Sequence, residues 1–236
     1  MTSGGLSGDG EPDTRRTAFP EPAGIVHTVP AASDPGFLVL HALRLKGFAD
    51  TGVVATVAGV PEDDAARHLE KSAAAGHATR RDGRISGWAL TAAGRTHHQE
   101  LIGAELEASG SRAAVEDGYR RFLDVNNELL TVCTDWQLRD NALNDHRDAA
   151  YDAAVIARLR AVDVKVQPVC TDLGGALERF GQYGARFTRA LGRVEAGDGD
   201  WFAKPMIDSY HTVWFELHED LLATLGIERS KEGSAS

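Results

Sequence analysis

Aromatic and histidine side chains recur at helical spacing near the C-terminal end of the chain. His211, Trp214 and His218 fall on one face of a predicted helix, and Tyr210 lies one turn before Trp214. Such side chains can bind a small molecule, because the rings supply contact area while imidazole and hydroxyl groups orient the ligand by hydrogen bonds. The spacing therefore predicts a ligand site in the C-terminal half.

A second cluster of similar composition lies in the middle of the chain. We include it in the predicted ligand site, whose residues are then Trp136, Asn144, His146, Tyr210, His211, Trp214 and His218. A second interpretation stays open, because buried Trp, Tyr and His side chains need hydrogen-bond partners and polar neighbours are also typical of an ordinary core. A third is an enzyme-associated helical domain with a site near His146 and His211.

Motifs for catalysis or metal binding do not support that third alternative. His218-Glu219 begins like the zinc motif HExxH, but position 222 is Leu, so the motif fails. GxSxG, GxxxxGK[ST] and a strand-linked GxGxxG are absent from the sequence. We therefore predict no catalytic residues, no metal and no cofactor, and we expect His97 and His98 at the surface.

A basic segment in the N-terminal half indicates a different chemistry. Arg80, Arg81 and Arg84 surround Asp82-Gly83, which predicts a tight turn between strands at 77–81 and 84–90. Arginines around such a turn suit contact with phosphates or insertion into a narrow minor groove. The predicted DNA-binding residues are Arg67, His68, Lys71, Arg80, Arg81 and Arg84. The alternative is a solvated hairpin with no role in nucleic-acid binding.

Helix start and stop signals predict the elements that would hold these residues. Asp34-Pro35 is typical of an N-cap followed by proline in the first turn, and Pro61 predicts the start of a third helix. Gly76 would end that third helix, and Thr91 would cap a fourth. The order predicted is helix, helix, helix, hairpin, helix, with a kink or hinge at 107–111.

Residues 37–107 resemble the winged-helix domain of MarR-type transcriptional regulators. The matching pieces are LEKSAAAGHATRR, the wing tip RDGR and LTAAGR, in which Thr91, Gly94 and Arg95 stand at the family's LTxxGR positions. The resemblance implies a winged helix-turn-helix, double-stranded DNA as partner, a homodimer and control by a small-molecule effector. Residues in the C-terminal half resemble a region of actinobacterial regulators that accompany or are fused to enzymes using phosphoenolpyruvate, and no activity is assigned from this.

Two features depart from the MarR pattern. The predicted third helix begins with Glu62-Asp63-Asp64, which would repel phosphates that approached it. A C-terminal region of more than one hundred residues replaces that family's short dimerisation helices, so its dimer mode does not carry over. A protein-interaction module with a repurposed winged helix therefore remains an alternative to DNA binding.

The net charge and composition of the chain limit how it could bind DNA. The chain has 236 residues, 42% of them hydrophobic, and a net charge of −10, so any binding of DNA requires a locally basic face. We predict a mainly α protein: a tail (1–33), a winged helix-turn-helix domain (34–109), an all-α sensing or dimerisation domain (110–229) and a tail (230–236). The sequence predicts no membrane span or signal peptide, which favours a cytoplasmic protein, associated with the nucleoid when bound to DNA.

Overall fold

The computed structural model describes Met1 and residues 33–228, and it is mainly helical, as predicted. The N-terminal half contains α1 (Pro35–Lys46), α2 (Thr51–Ala58), α3 (Glu62–Ala74), β1 (Ala78–Arg81), β2 (Gly87–Leu90) and α4 (Ala92–Ser109). The C-terminal half contains α5 (Arg112–Gln137), β3 (Leu138–Arg139), β4 (Ala142–Leu143), α6 (Ala149–Ala176), a 3-10 turn (Glu178–Gly181), α7 (Gln182–Glu195), α8 (Asp200–Ala203) and α9 (Tyr210–Leu225). Of the predicted tails, only Met1 and Ser33 lie within the described residues. The Ser33 hydroxyl donates a hydrogen bond to Glu105.

The predicted caps at the start of the chain's helices are confirmed. The Asp34 carboxylate accepts a hydrogen bond from the Phe37 amide at 3.0 Å, with proline in the first turn of α1. The Thr91 hydroxyl accepts from the Gly94 amide at 2.9 Å at the start of α4. Each bond satisfies a backbone donor that has no partner inside its own helix.

The LTxxGR motif fastens α4 to the end of α3. The Thr91 amide donates to the His77 carbonyl at 3.0 Å, and its hydroxyl donates to the Gly76 carbonyl at 2.6 Å. The Arg95 guanidinium donates to the Leu90 carbonyl. A Cβ atom placed on Gly94 would lie 1.8 Å from the His77 carbonyl oxygen, so only glycine fits there. The motif therefore joins the start of α4 to the segment between α3 and β1, through hydrogen bonds and the close approach of the Gly94 and His77 backbones.

The hairpin exists, but its predicted tight turn at Asp82-Gly83 is wrong. Arg81 pairs with Gly87, which leaves a five-residue loop at 82–86, and Gly83 does not adopt a positive φ. The register is fixed elsewhere, because the Trp88 amide and carbonyl both bond to Ala49 and the Trp88 ring is buried. Ala49 therefore pairs with β2 as an isolated antiparallel bridge. The turn residues Asp82-Gly83 could not indicate this pairing.

The C-terminal half was predicted to be all-α, and it is a helical bundle that also contains a small hairpin of β3 and β4. Its turn is Asp140-Asn141, where both residues have positive φ angles of 50° and 63°. Asp and Asn tolerate this left-handed conformation better than most residues, so the pair makes a two-residue turn. The hairpin ends α5 and redirects the chain into α6.

Two large cores and a small bridging core hold the molecule together. One core lies among α1–α3 and the hairpin, and the other lies among α5, α6, α7 and α9. The bridging core consists of Phe37, Ile102 and Ala223, from α1, α4 and α9. Across residues 33–228, no helix combines the length and apolar character needed to cross a membrane.

Candidate nucleic-acid interface and ligand sites

The hairpin carries exposed arginines at the end of β1 and in its loop, as predicted. Arg80 is held in place, because its Nε lies 3.0 Å from Asp82 Oδ1 and its guanidinium lies 5.7 Å from the centre of the Trp88 ring. Arg81 and Arg84 are exposed, and within residues 33–228 neither has an ion-pair partner. These two guanidinium groups are therefore available to an anionic partner.

The three candidates on α3 lie in different environments. Arg67 is exposed and forms an ion pair with Asp64 on its own helix, and Lys71 is exposed one turn later. His68 is half-buried against α1, since a Cβ atom on Gly36 would lie 3.0 Å from His68 Nδ1. Arg67 and Lys71 can reach a partner in solvent, whereas His68 contacts α1.

Acidic residues share the exposed surface of α3. Glu62, Asp63 and Glu70 are exposed on the same helix as Arg67 and Lys71. Acids in the first turn favour the helix, because they interact with its positive end. The surface formed by α3 is consequently acidic at its N-terminal end, while the neighbouring hairpin loop is basic.

The seven predicted ligand-binding residues do not form one site. Tyr210 and Trp214 are buried, and each has a hydrogen-bond partner inside the bundle. The Tyr210 hydroxyl donates to Asp163 Oδ1 at 3.1 Å, and Trp214 Nε1 donates to Asn126 Oδ1 at 2.8 Å. Burial raises the pKa of Tyr210 well above its usual value. These two residues therefore fit the alternative of a core with satisfied polar groups.

His218 belongs with that core. Its ring centre lies 5.2 Å from that of Phe122, which in turn stacks on Trp214 at 4.6 Å. His211, by contrast, lines a separate cavity where the N-terminal half meets α9. Thus His211 faces the junction of the two halves, whereas Trp214 and His218, predicted to share its helical face, pack in the bundle interior.

Trp136, Asn144 and His146 do come together, beside an open cleft of about 900 Å³. Asn144 Nδ2 lies 3.0 Å from Asp152 Oδ1, and His146 Nδ1 lies 3.1 Å from Asp152 Oδ2. His146 has a φ of 55°, and its ring centre lies 4.5 Å from that of Trp136. Asp152 is the member that the sequence analysis missed, and it orients both polar side chains.

A buried polar network at the junction of the two halves was not foreseen. Asp220 of α9 forms an ion pair with Arg179, and Asp220 Oδ2 lies 3.1 Å from His41 Nε2 of α1. Arg179 Nε lies 2.8 Å from Glu105 Oε2 of α4. Burial opposes the charge on Asp220, but Arg179 and His41 hold its pKa well below the usual range. This network joins α1, α4 and α9 through charged groups.

The prediction that His98 lies at the surface is wrong. Its side chain is buried, and His98 Nε2 lies 3.0 Å from His41 Nδ1. Burial lowers the pKa of His98 to about 3, and the nearby His41 and Arg44 add to this effect. One signal could have found the network: Glu216, Asp220 and Thr224 recur every four residues along the apolar helix α9, which indicates buried polar partners.

Glu216 anchors a second group of charges at the same junction. It forms ion pairs with Lys46 of α1 and with Arg186 of α7, the latter at 2.6 Å. Asp208 also contacts Arg186, at 3.1 Å, and Arg189 at 2.7 Å. Glu216 of α9 therefore links the end of α1 to α7, through its ion pairs with Lys46 and Arg186.

Neither the cysteines nor the acidic residues make a reactive or metal-binding centre in the part of the chain described. Cys133 and Cys170 are buried and free, and burial raises the pKa of each thiol to about 12. Residues 33–228 contain no group of three or more His, Cys, Asp or Glu side chains placed to hold a metal ion.

Comparisons with protein-family models, with curated proteins and with solved structures find no match.

Proposed function

We propose that the chain is a sequence-specific regulator that binds double-stranded DNA through residues 35–109, acting as a winged helix-turn-helix. The observation that carries the proposal is that Arg81, at the end of β1, and Arg84, in the hairpin loop, are exposed and have no ion-pair partner among residues 33–228. The element order α1, α2, α3, hairpin, α4 is the order this class of domain uses. The full proposal is a homodimer that places two such units on successive half-sites.

In this arrangement the hairpin loop contacts the DNA backbone. Arg81 and Arg84 would bind phosphates or enter a narrow minor groove, where negative potential is high. Arg80 is held by Asp82 and Trp88, so it supports the loop and contributes less to direct contact. Phosphate contacts of this kind set position and register and make the affinity depend on salt.

The exposed surface of α3 supplies the residues that would read bases. Arg67 would have to leave its exposed ion pair with Asp64, which costs little because surface pairs contribute about 0–1 kcal/mol. A bidentate contact of arginine with guanine contributes about 1–3 kcal/mol of discrimination, so the exchange is favourable. Lys71 lies one turn further along the same helix and would contact the neighbouring phosphate or base.

Selection of bound sequences from a random duplex library tests the proposal. We expect the wild-type chain to enrich a motif, and Arg81→Ala/Arg84→Ala to abolish enrichment because the phosphate contacts are lost. Arg120→Ala/Arg147→Ala is the matched control, since it removes the same charge from exposed sites in the C-terminal half. Absence of enrichment by the wild-type chain, or equal loss in the control, would overturn the proposal.

A protein-interaction module is the second candidate, and the acidic end of α3 favours it. Glu62 and Asp63 are exposed there, and a basic protein segment would complement them. Glu62→Lys/Asp63→Lys separates the two candidates, because it removes repulsion of phosphates and also removes attraction for a basic protein. Tighter binding of DNA by this variant favours the DNA-binding function, whereas loss of a co-purifying basic partner with unchanged DNA affinity favours the interaction module.

A further inference from the structure

An open cavity of about 430 Å³ lies where the N-terminal half meets the segment that leads into α9. Its N-terminal wall includes Phe48, Val53 and Ile85, from the α1–α2 connection, α2 and the hairpin loop. Its other wall includes Met206 and Phe215, from the α8–α9 connection and α9. The cavity is therefore shaped by both halves of the chain and touches the loop that carries the basic hairpin residues.

Five large apolar side chains that line the cavity are substantially exposed. Phe48, Val53, Ile85, Met206 and Phe215 are 36%, 40%, 68%, 96% and 43% exposed. Single exposed apolar residues are ordinary, but a group that converges on one concave surface marks a binding site. Met206 also has a φ of 69°, a conformation that costs a non-glycine residue energy and that recurs at ligand sites.

The His211 imidazole is the polar group in the cavity wall that can hydrogen-bond to a ligand. His211 is half-buried, and its ring makes no hydrogen bond within residues 33–228. Burial lowers the pKa of His211, so the imidazole is neutral near pH 7 and offers one donor and one acceptor. Ser86 and Thr212, which also line the cavity, are already bonded to other protein groups.

The charges in the wall determine what kind of molecule fits. Lys46 is paired with Glu216, and the Asp50 carboxylate accepts from the Val53 amide as the cap of α2. Lys46 is therefore already neutralised by Glu216, and none of the residues that line the cavity offers an unpaired cation to an added anion. The volume lies within the range of about 300–1,000 Å³ that small-molecule sites occupy.

We propose that this cavity binds a small, uncharged, largely apolar molecule, such as a bicyclic aromatic, with one hydrogen-bonding group directed at His211. Such a molecule would contact the hairpin loop through Ile85 and α9 through Phe215, and would hold the two together. The regulatory consequence, a change in DNA affinity when the cavity is filled, rests on the proposed function. Binding to the cavity itself does not.

Two fluorescent probes that share one aromatic skeleton test the site. N-phenyl-1-naphthylamine is uncharged and carries one N–H donor, and 8-anilinonaphthalene-1-sulfonate adds a sulfonate to it. Both are titrated into the full chain, into Val53→Arg, which fills and charges the cavity, and into Val164→Arg. Val164 is 68% exposed on α6 and does not line the cavity, so this variant is the matched control.

The expected result is saturable binding of one molecule of the uncharged probe, with the sulfonate at least about 10-fold weaker. Val53→Arg should weaken binding of the uncharged probe by at least about 10-fold, while Val164→Arg should stay within about 2-fold of wild type. Circular dichroism and a thermal melt establish that Val53→Arg is folded. Equal binding by wild type and Val53→Arg, or equal affinity for the two probes, overturns the proposal.

A second copy of the chain is the competing occupant, and the same variants reveal it. If Val53→Arg but not Val164→Arg converts a dimer to a monomer in sedimentation without any probe, the surface is an interface and the ligand proposal fails. If the chain binds the probe but no DNA, the ligand site is supported, and only the proposed effect of the ligand on DNA affinity fails. DNA binding by a chain that takes up no probe overturns the site and leaves the proposed function standing.

Discussion

The imidazoles of His41 and His98 lie nearly parallel at the junction of the two halves, with ring centres 5.3 Å apart and His41 Nδ1 3.0 Å from His98 Nε2. His41 comes from α1 and His98 from α4, and His41 also contacts Asp220 of α9. Three helices are thus joined through two side chains that titrate near neutral pH when exposed. The stability of this junction should depend on the protonation state of His98, whose pKa burial lowers to about 3.

Acid should destabilise the fold through His98. Its pKa is lowered to about 3 in the folded chain, mainly by burial, from an ordinary value of 6.5. The unfolded state therefore binds the proton more tightly, so stability is fully present above pH 6.5 and is lost as pH falls from 6.5 toward 3. We expect a loss of about 2 kcal/mol in the free energy of unfolding between pH 7.5 and pH 5, measured by urea titration.

His98→Gln is the control for the acid effect, because it keeps a polar side chain and removes the titrating group. The variant should lose most of the pH dependence between pH 7.5 and pH 5. A smaller slope should remain from His211, whose pKa is also lowered by burial. An unchanged slope in His98→Gln would show that the acid sensitivity arises elsewhere.

Asp220→Asn should destabilise the chain strongly. The substitution leaves the buried guanidinium of Arg179 without its main counter-charge, although the contact with Glu105 at 2.8 Å persists. Breaking a buried pair costs about 3–5 kcal/mol, and the remaining contact favours the lower end, about 3 kcal/mol. Equilibrium unfolding in urea measures the difference.

Asp172→Asn is the matched substitution at the surface. Asp172 lies 2.6 Å from Arg121, but both side chains are substantially exposed, so its loss should cost less than about 1 kcal/mol. Similar losses in Asp220→Asn and Asp172→Asn would show that the junction network contributes no more than a surface pair.

Gly94→Ala should disrupt the attachment of α4 to the hairpin. The added Cβ would lie 1.8 Å from the His77 carbonyl oxygen, so the backbone must shift and the Thr91 bonds must lengthen. Overpacking of this kind typically costs about 1–3 kcal/mol, and a contact with backbone puts this site at the upper end. Thermal unfolding should show a clear decrease in Tm.

Gly103→Ala tests the same substitution on the same helix without the clash. An added Cβ there meets nothing within 4 Å, and alanine is a better helix former than glycine by about 1 kcal/mol. Gly103→Ala should therefore raise Tm slightly. A decrease in both variants would point to a general effect of alanine in α4 rather than to the contact with His77.

Local signals predicted the elements that depend on neighbouring residues. The caps at Asp34 and Thr91 need only atoms three residues away, so the sequence carries the whole signal. The hairpin loop was misjudged because its register depends on Trp88 pairing with Ala49, almost forty residues earlier in the chain. A turn motif predicts a tight hairpin only when no distant partner competes for the strand.

The candidate sites were predicted only where spacing along one element was sufficient. Arg81 and Arg84 are exposed because charged residues at and beside a hairpin loop face solvent, and this followed from the sequence. Helical spacing placed His211 and Trp214 on one face, but it could not show that one meets the junction cavity and the other the bundle core. The contacts that bury His98 come from His41 and Phe37 of α1, so its burial was not visible in α4 alone.

The dependence of DNA affinity on salt tests the central claim most directly, using a duplex selected by the wild-type chain. Each phosphate contact contributes about 0.9 to the slope of log affinity against log salt concentration. If Arg81 and Arg84 each contact a phosphate, the slope for Arg81→Ala/Arg84→Ala should be smaller than that of the wild type by about 1.8 per protomer bound. An affinity that does not fall as salt rises, or a slope that the double substitution leaves unchanged, would contradict the account.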